Sequence, residues 1–227
     1  MWLSNSARSI IVRVSLWLRV MGHSAMRNKG TTTEWMAGAL LVGLAIVLLT
    51  RMVAAPGGKV GVALQATARW SFLLFWLGYT GNALSVLFGP RFQIIASHCR
   101  DFSLSFAAAH LAHLGMVAYL LYGSDTPFPR PSLVFFSIAV FWIYLLTLLS
   151  IKRLAAKLDP TLLRVLRTVG VEYIALVFLV DFAKNPFQGG IVNLLIYLPF
   201  ICLAIAGPLL RFAAVAKRLA QARTLAA

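Results

Sequence analysis

Six runs of apolar residues, each long enough as a helix to cross a bilayer, leave this chain of 227 residues few alternatives. They cover roughly residues 35–53, 68–88, 101–122, 132–151, 166–183 and 190–212. A helix rises ~1.5 Å per residue, so about 17–25 residues span a hydrocarbon core ~30 Å thick, where a helix satisfies its own backbone. Joints rich in Gly, Pro and charge end the runs: Ala55-Pro-Gly-Gly-Lys59, Gly89-Pro-Arg91, Gly123 to Pro131, Lys152 to Pro160 and Lys184 to Gly190. Pro199 and Pro208 interrupt the sixth run, where a kink is expected. Charged residues are 12% of the chain, well below the ~25% of a soluble domain. The expected fold class is an all-α integral membrane protein with six transmembrane helices in one bundle over 35–212.

The basic residues orient this bundle. With positive loops cytoplasmic and the N-terminus inside, 16 Lys and Arg fall on the inner side and 5 on the outer, the five being Arg51, Lys59, Arg69, Arg130 and Lys184. Both termini are then cytoplasmic, in a cytoplasmic (inner) membrane, and the third and fifth segments run in the same direction. The net charge of +15 is assigned to topology and to anionic headgroups of the lipid bilayer; no nucleic-acid motif accompanies it, and no nucleic-acid partner is expected.

Residues 1–30 form a basic amphipathic segment, with Ile10, Ile11, Val14, Trp17, Leu18 and Met21 on one helical face and Arg8, Arg13 and Arg19 away from it. Arg13 and Arg19 interrupt the only stretch that would serve a cleaved signal, and translation from Met21 or Met26 would remove the segment altogether. Residues 213–227 are expected to form a basic tail. Cys99 and Cys202 stand in no metal or redox spacing.

The third segment carries the chemistry. His110 and His113 lie well inside an apolar helix, where an ionisable side chain must be paired, hydrated or ligating something. A pair of neutral imidazoles hydrogen-bonded to neighbouring helices is the simpler alternative. His98, just before the segment, is 15 residues from His113, about 60° off the same face and ~22 Å along the axis, the separation two stacked haems would need. The fifth segment offers Arg167 and Asp181 at matching depths, where axial ligands would be histidines.

Four stretches occur in a familiar order. They are Thr67-Ala-Arg-Trp-Ser-Phe-Leu-Leu-Phe-Trp-Leu-Gly-Tyr-Thr-Gly-Asn-Ala-Leu84, Cys99-Arg-Asp-Phe-Ser-Leu104 leading to His113, Leu145-Leu-Thr-Leu-Leu-Ser150, and Leu163-Arg-Val-Leu-Arg-Thr-Val-Gly-Val-Glu-Tyr173. Over residues 60–212 the chain resembles the ferric reductase-like transmembrane domain family, in the bacterial branch that contains the haem-binding membrane subunit of the periplasmic methionine sulfoxide reductase system. The resemblance implies b-type haem held between the third and fifth helices and electron transfer across the membrane. It places His113 on the third-helix ligand and Arg100 on the second residue of a basic pair whose first residue is Cys99 here. It also marks two departures, Arg167 at one expected fifth-helix histidine and Val180 or Asp181 at the other. Arginine stays protonated and has no lone pair to give, and a carboxylate is a poor haem ligand. A five-coordinate haem on His113, a sixth ligand such as water or Met116 of another copy, or a haem shared in a homo-oligomer would each accommodate this.

Among the remaining polar residues, Glu172 is expected to pair with a histidine of the third segment or to make a structural hydrogen bond, and Asp181 to be solvated at the outer interface. Aromatics such as Trp35, Trp70, Trp76, Trp142, Tyr79 and Tyr197 are numerous, and several near segment ends read as interfacial belts. No dinucleotide fingerprint or phosphate loop is present, so a flavin or nicotinamide donor would sit on a separate soluble redox partner or membrane complex. Electron transfer, and with it an oxidoreductase role, is the leading expectation. A haem-free relative serving as a partner subunit, and a small proton-coupled transporter, are the two alternatives.

Overall fold

The computed structural model describes residues 29–53, 59–123, 129–184 and 190–226. Met1–Asn28, and with them most of the basic amphipathic segment, lie outside the described residues. The chain divides into two units, Met1–Glu34 and Trp35–Ala227. The described residues contain no strand. Six long helices follow in order: α1 Lys29–Val53, α2 Lys59–Phe88, α3 Cys99–Gly123, α4 Arg130–Leu148, α5 Pro160–Ala183 and α6 Gly190–Ala226. Within α1, α2, α3, α4 and α6 are stretches long and apolar enough to cross a membrane: Thr32–Val53, Val60–Phe88, Cys99–Gly123, Arg130–Leu148 and Gly190–Thr224. This is the architecture of an all-α membrane protein. Helix α5 is 24 residues long, about 36 Å at 1.5 Å per residue, but Arg164, Arg167, Glu172 and Asp181 set it apart from the other five.

Two sequence boundaries move furthest. Helix α2 begins at Lys59, nine residues before the apolar run, because Gln65 and Thr67 interrupt hydropathy without opposing helix formation. Helix α6 passes through Pro199 and Pro208 and continues to Ala226, so the expected C-terminal tail is helical almost to its end. Between these prolines the Leu203 carbonyl also accepts from Trp76 Nε1 at 2.8 Å, a contact that ties α6 to α2.

Local chemistry sets the helix ends. Gly89, at φ 84°, adopts the left-handed conformation that ends α2. Pro160 opens α5 behind Asp159, whose carboxylate accepts from the Thr161 and Leu162 amides at 2.8 and 3.0 Å. Those two amides stabilise the charged form and hold the Asp159 carboxyl below its ordinary value, so the folded chain binds fewer protons there than the unfolded one. The cap is therefore complete above about pH 4 and is lost as pH falls through the lowered value. Asp159→Ala is expected to speed amide exchange at Thr161 and Leu162 at neutral pH, whereas Asp159→Asn, which keeps the acceptor, should protect them and remove the acid sensitivity.

The carbonyls at the other ends are met by basic side chains. Arg100 donates to the Ser150 carbonyl at 3.2 Å and Arg167 to the Leu149 carbonyl at 3.0 Å, both just past α4, while Lys217 donates to Val86 and Leu87 at 2.8 and 3.3 Å near the end of α2. Part of the basic charge counted for topology is thus also helix capping.

Helices α2, α3, α5 and α6 meet around an aromatic core. Phe72 packs against Phe178 and Phe182 with ring centroids 5.1 and 4.9 Å apart, Phe75 against Phe106 at 5.3 Å, and Phe182 against Phe200 at 5.4 Å. Small residues let the backbones approach: a Cβ built on Gly78 would sit 2.6 Å from Ser103 Oγ, and one on Gly170 2.5 Å from Trp142 Cε3. Three tryptophans make interhelical contacts. Trp142 closes on Gly170, and Trp70 Nε1 donates to Ala39 at 2.9 Å as Trp76 does to Leu203. An indole N–H away from water needs an acceptor, and a neighbouring helix carbonyl supplies one.

Candidate functional site

Helices α2 and α3 run antiparallel, and their register decides what surrounds the two histidines. Thr67 of α2 stands opposite His113 of α3, with Oγ1 and Nδ1 3.1 Å apart. The Thr67 hydroxyl directs its proton to the Ala63 carbonyl at 2.8 Å, within its own helix. The imidazole is therefore the donor of the Thr67–His113 bond, and Nε2 keeps the lone pair. One turn along, the arrangement repeats with longer geometry: Ser71 Oγ gives its proton to Ala68 at 2.9 Å and lies 3.5 Å from His110 Nδ1. The two imidazole rings are 5.2 Å apart.

Both histidines line a cavity of about 680 Å³, large enough for a cofactor-sized ligand. Leu64 and Ala68 of α2, Leu114 and Val117 of α3, Val140 and Ile143 of α4, and Ile174, Val177 and Phe178 of α5 supply its apolar wall. Gln65, Arg69, Ser137, Asp181, Lys184 and Tyr197 are its polar residues besides the histidines. The contributing parts are the first halves of α2 and α4, the second halves of α3 and α5, and the start of α6. The cavity thus belongs to one half of the bundle.

The other sequence candidates are distributed differently. His98 ends the short helix Gln93–Ser97, and its ring meets Trp35 edge-on at 5.8 Å, apart from the cavity-lining residues. His98 and His113 thus stand in different surroundings. Arg100 and Arg167 are engaged at the end of α4, as described above. Glu172 does not pair with a histidine: it accepts from Tyr79 at 2.6 Å and forms an ion pair with Arg211 at 3.0 Å. Arg211 also donates to the Tyr79 carbonyl at 3.3 Å and lies over the Tyr79 ring at 4.4 Å. Asp181, expected in water, lines the cavity next to Lys184.

Two features escaped the sequence reading. Thr67 and Ser71, one turn apart, are hydroxyls in an apolar helix, and that spacing was a usable signal; their pairing with His113 and His110 needs the register between helices. Arg69 lies between them in the sequence and inside the bundle, where its Nε and Nη2 are buried without a hydrogen-bond partner among the described residues.

A single imidazole with a free Nε2, a hydroxyl fixing its tautomer and an apolar chamber is a donor set that fits one five-coordinate haem iron. It does not fit a bis-histidine iron spanning α3 and α5, because α5 presents Val177, Phe178 and Asp181 to the cavity and no imidazole. No group of three or more His, Cys, Asp or Glu able to hold a bare metal ion occurs among the described residues. No protein-family model, curated protein or solved structure matches this chain.

Proposed function

We propose that the protein is a transmembrane electron-transfer component of ferric reductase-like architecture, in which α5 is a sixth span and His113 holds one b-type haem. The observation that carries this reading is His113 itself: an imidazole on α3 with its lone-pair nitrogen free, beside a chamber whose opposite wall is α5. Bound there, haem would supply a one-electron couple inside the bilayer. The chain's own residues do the rest. Thr67 fixes the ring's tautomer and orientation, as second-shell partners of ligating histidines do, and the aliphatic wall of α4 and α5 keeps water from the site.

Orientation follows from charge. The ends of α2 and α4, with Arg100, Arg167 and Lys217 around them, are assigned to the cytoplasmic side of an inner membrane, and the cavity to the outer half. Electrons would come from a flavin or nicotinamide protein acting as a soluble partner, or from a membrane complex.

A second reading, a haem-free relative serving as a partner subunit, is favoured by Arg167, which stands where the family places a ligand and instead caps α4. The proton-coupled transporter loses its proposed relay, because Glu172 is bonded to Tyr79 and Arg211.

The test is an absorption spectrum of the detergent-purified full chain, oxidised and dithionite-reduced, with a pyridine haemochrome assay. A Soret band with reduced α and β bands and close to one haem per chain is expected. Colourless protein from haem-sufficient cells would end the electron-transfer reading and favour the second.

A further inference from the structure

Arg69 is a cation only partly answered. Its Nε and Nη2 are buried without hydrogen-bond partners among the described residues, and the side chain lines the cavity. The faces of Tyr197 and Phe200 lie 5.0 and 5.4 Å from its guanidinium carbon and Tyr197 is also a hydrogen-bond partner of the group, contacts that offset part of the cost of burying the charge and leave Nε and Nη2 unanswered.

The other two charges of the cavity wall are of opposite sign. Asp181 and Lys184, three residues apart at the end of α5, bring one carboxylate and one ammonium, the ammonium lying over the Phe136 ring at 5.0 Å. With neutral histidines the wall carries a net charge of about +1, contributed by Arg69, in surroundings that are otherwise mainly aliphatic and aromatic. An isolated guanidinium in such a place is stabilised by an acidic group that accepts its in-plane N–H donors. The rest of the chamber requires that group to be attached to an apolar body.

We infer that the cavity binds an amphipathic acid, a carboxylate carried on a large apolar body, and that Arg69 receives the carboxylate. The inference rests on the same cavity as the proposed function but not on an iron ligand. Two sources share this chemistry, the acid side chain of a porphyrin and the headgroup of a long-chain fatty acid.

The experiment measures quenching of intrinsic tryptophan fluorescence in the full chain in mild detergent, with four probes: iron-free protoporphyrin IX, its dimethyl ester, a brominated sixteen-carbon fatty acid and its methyl ester. At least one free acid is expected to bind about tenfold or more tightly than its ester. Arg69→Gln should abolish that preference and Arg69→Lys should retain part of it. Asp181→Asn, which removes the carboxylate from the wall, should tighten acid binding. The tighter acid identifies the source. Equal binding of acids and esters, a preference that survives Arg69→Gln, or weaker acid binding in Asp181→Asn overturns the assignment. A colourless chain that still prefers the free acid would remove the haem reading and leave this one standing.

Discussion

His113→Ala is expected to lower haem affinity by more than about a hundredfold, so that the protein purifies without a Soret band from cells that load the wild type. The magnitude is set by the bond removed: altering only a second-shell partner of a ligating histidine costs about 10–100-fold in metal affinity, and the ligand itself is worth more. Companion variants separate ligation from folding. Thr67→Val removes the acceptor that fixes the His113 tautomer, and is expected to weaken affinity by roughly tenfold while leaving a spectrum. His98→Ala should leave haem content unchanged, since that ring packs against Trp35. Imidazole added to His113→Ala should restore colour, because the substitution leaves a space of imidazole size next to the cavity. A His113→Ala protein with wild-type haem content and spectrum would sink the assignment.

The distribution of these residues was partly legible in the sequence. Six runs became six long helices because hydrophobic length is a one-dimensional property. Depth was legible for the same reason, and it placed His110 and His113 inside the bundle. Direction around each helix was harder, yet part of it was within reach. Glu172 and Asp181 are nine residues apart, and at 100° per residue they leave α5 on opposite sides. Since Ile174, Val177, Phe178 and Asp181 turn one face to the cavity, Glu172 faces Tyr79 and Arg211 instead. Of the two expectations for Glu172, a histidine partner or a structural hydrogen bond, the second is the one found, to the Tyr79 hydroxyl.

Register between helices was not legible. Whether Thr67 stands opposite His113 or His110 depends on how α2 slides along α3, and that is fixed by close contacts such as Gly78 on Ser103 and Gly81 on Cys99. The same holds for Arg100 and Arg167. Their side chains are long, and both end at carbonyls just past α4, a position that local sequence does not specify. Asp181 was assigned to water from its place near a segment end. In the fold it borders the cavity because α6 begins beside it and contributes Tyr197 to the same wall.

The cluster of Glu172, Tyr79 and Arg211 yields the second large effect, and it bears on how α5 enters a membrane at all. A helix with Arg164, Arg167, Glu172 and Asp181 is costly to insert alone, but Glu172, the acid nearest its middle, has a reason to be tolerated in its ion pair with Arg211. Arg211→Leu leaves the Glu172 carboxylate with only the Tyr79 hydroxyl and removes the donor to the Tyr79 carbonyl. A loss of about 1–2 kcal/mol is expected, the lower part of the range for hydrogen bonds to charged groups, because the two side chains are 35% and 43% exposed. Glu172→Leu should cost a similar amount, since it strands the guanidinium. The triple variant Tyr79→Phe, Glu172→Leu, Arg211→Leu removes every partner together and is expected to return to within about 1 kcal/mol of the wild type, because apolar groups of similar size in place of a complete polar cluster leave nothing unsatisfied. Unfolding in mixed micelles titrated with a denaturing detergent would measure all three. Single variants as stable as the wild type would mean that the cluster contributes nothing to the bundle, and a triple variant less stable than either single would mean that its shape rather than its charge balance holds α5 against α2 and α6.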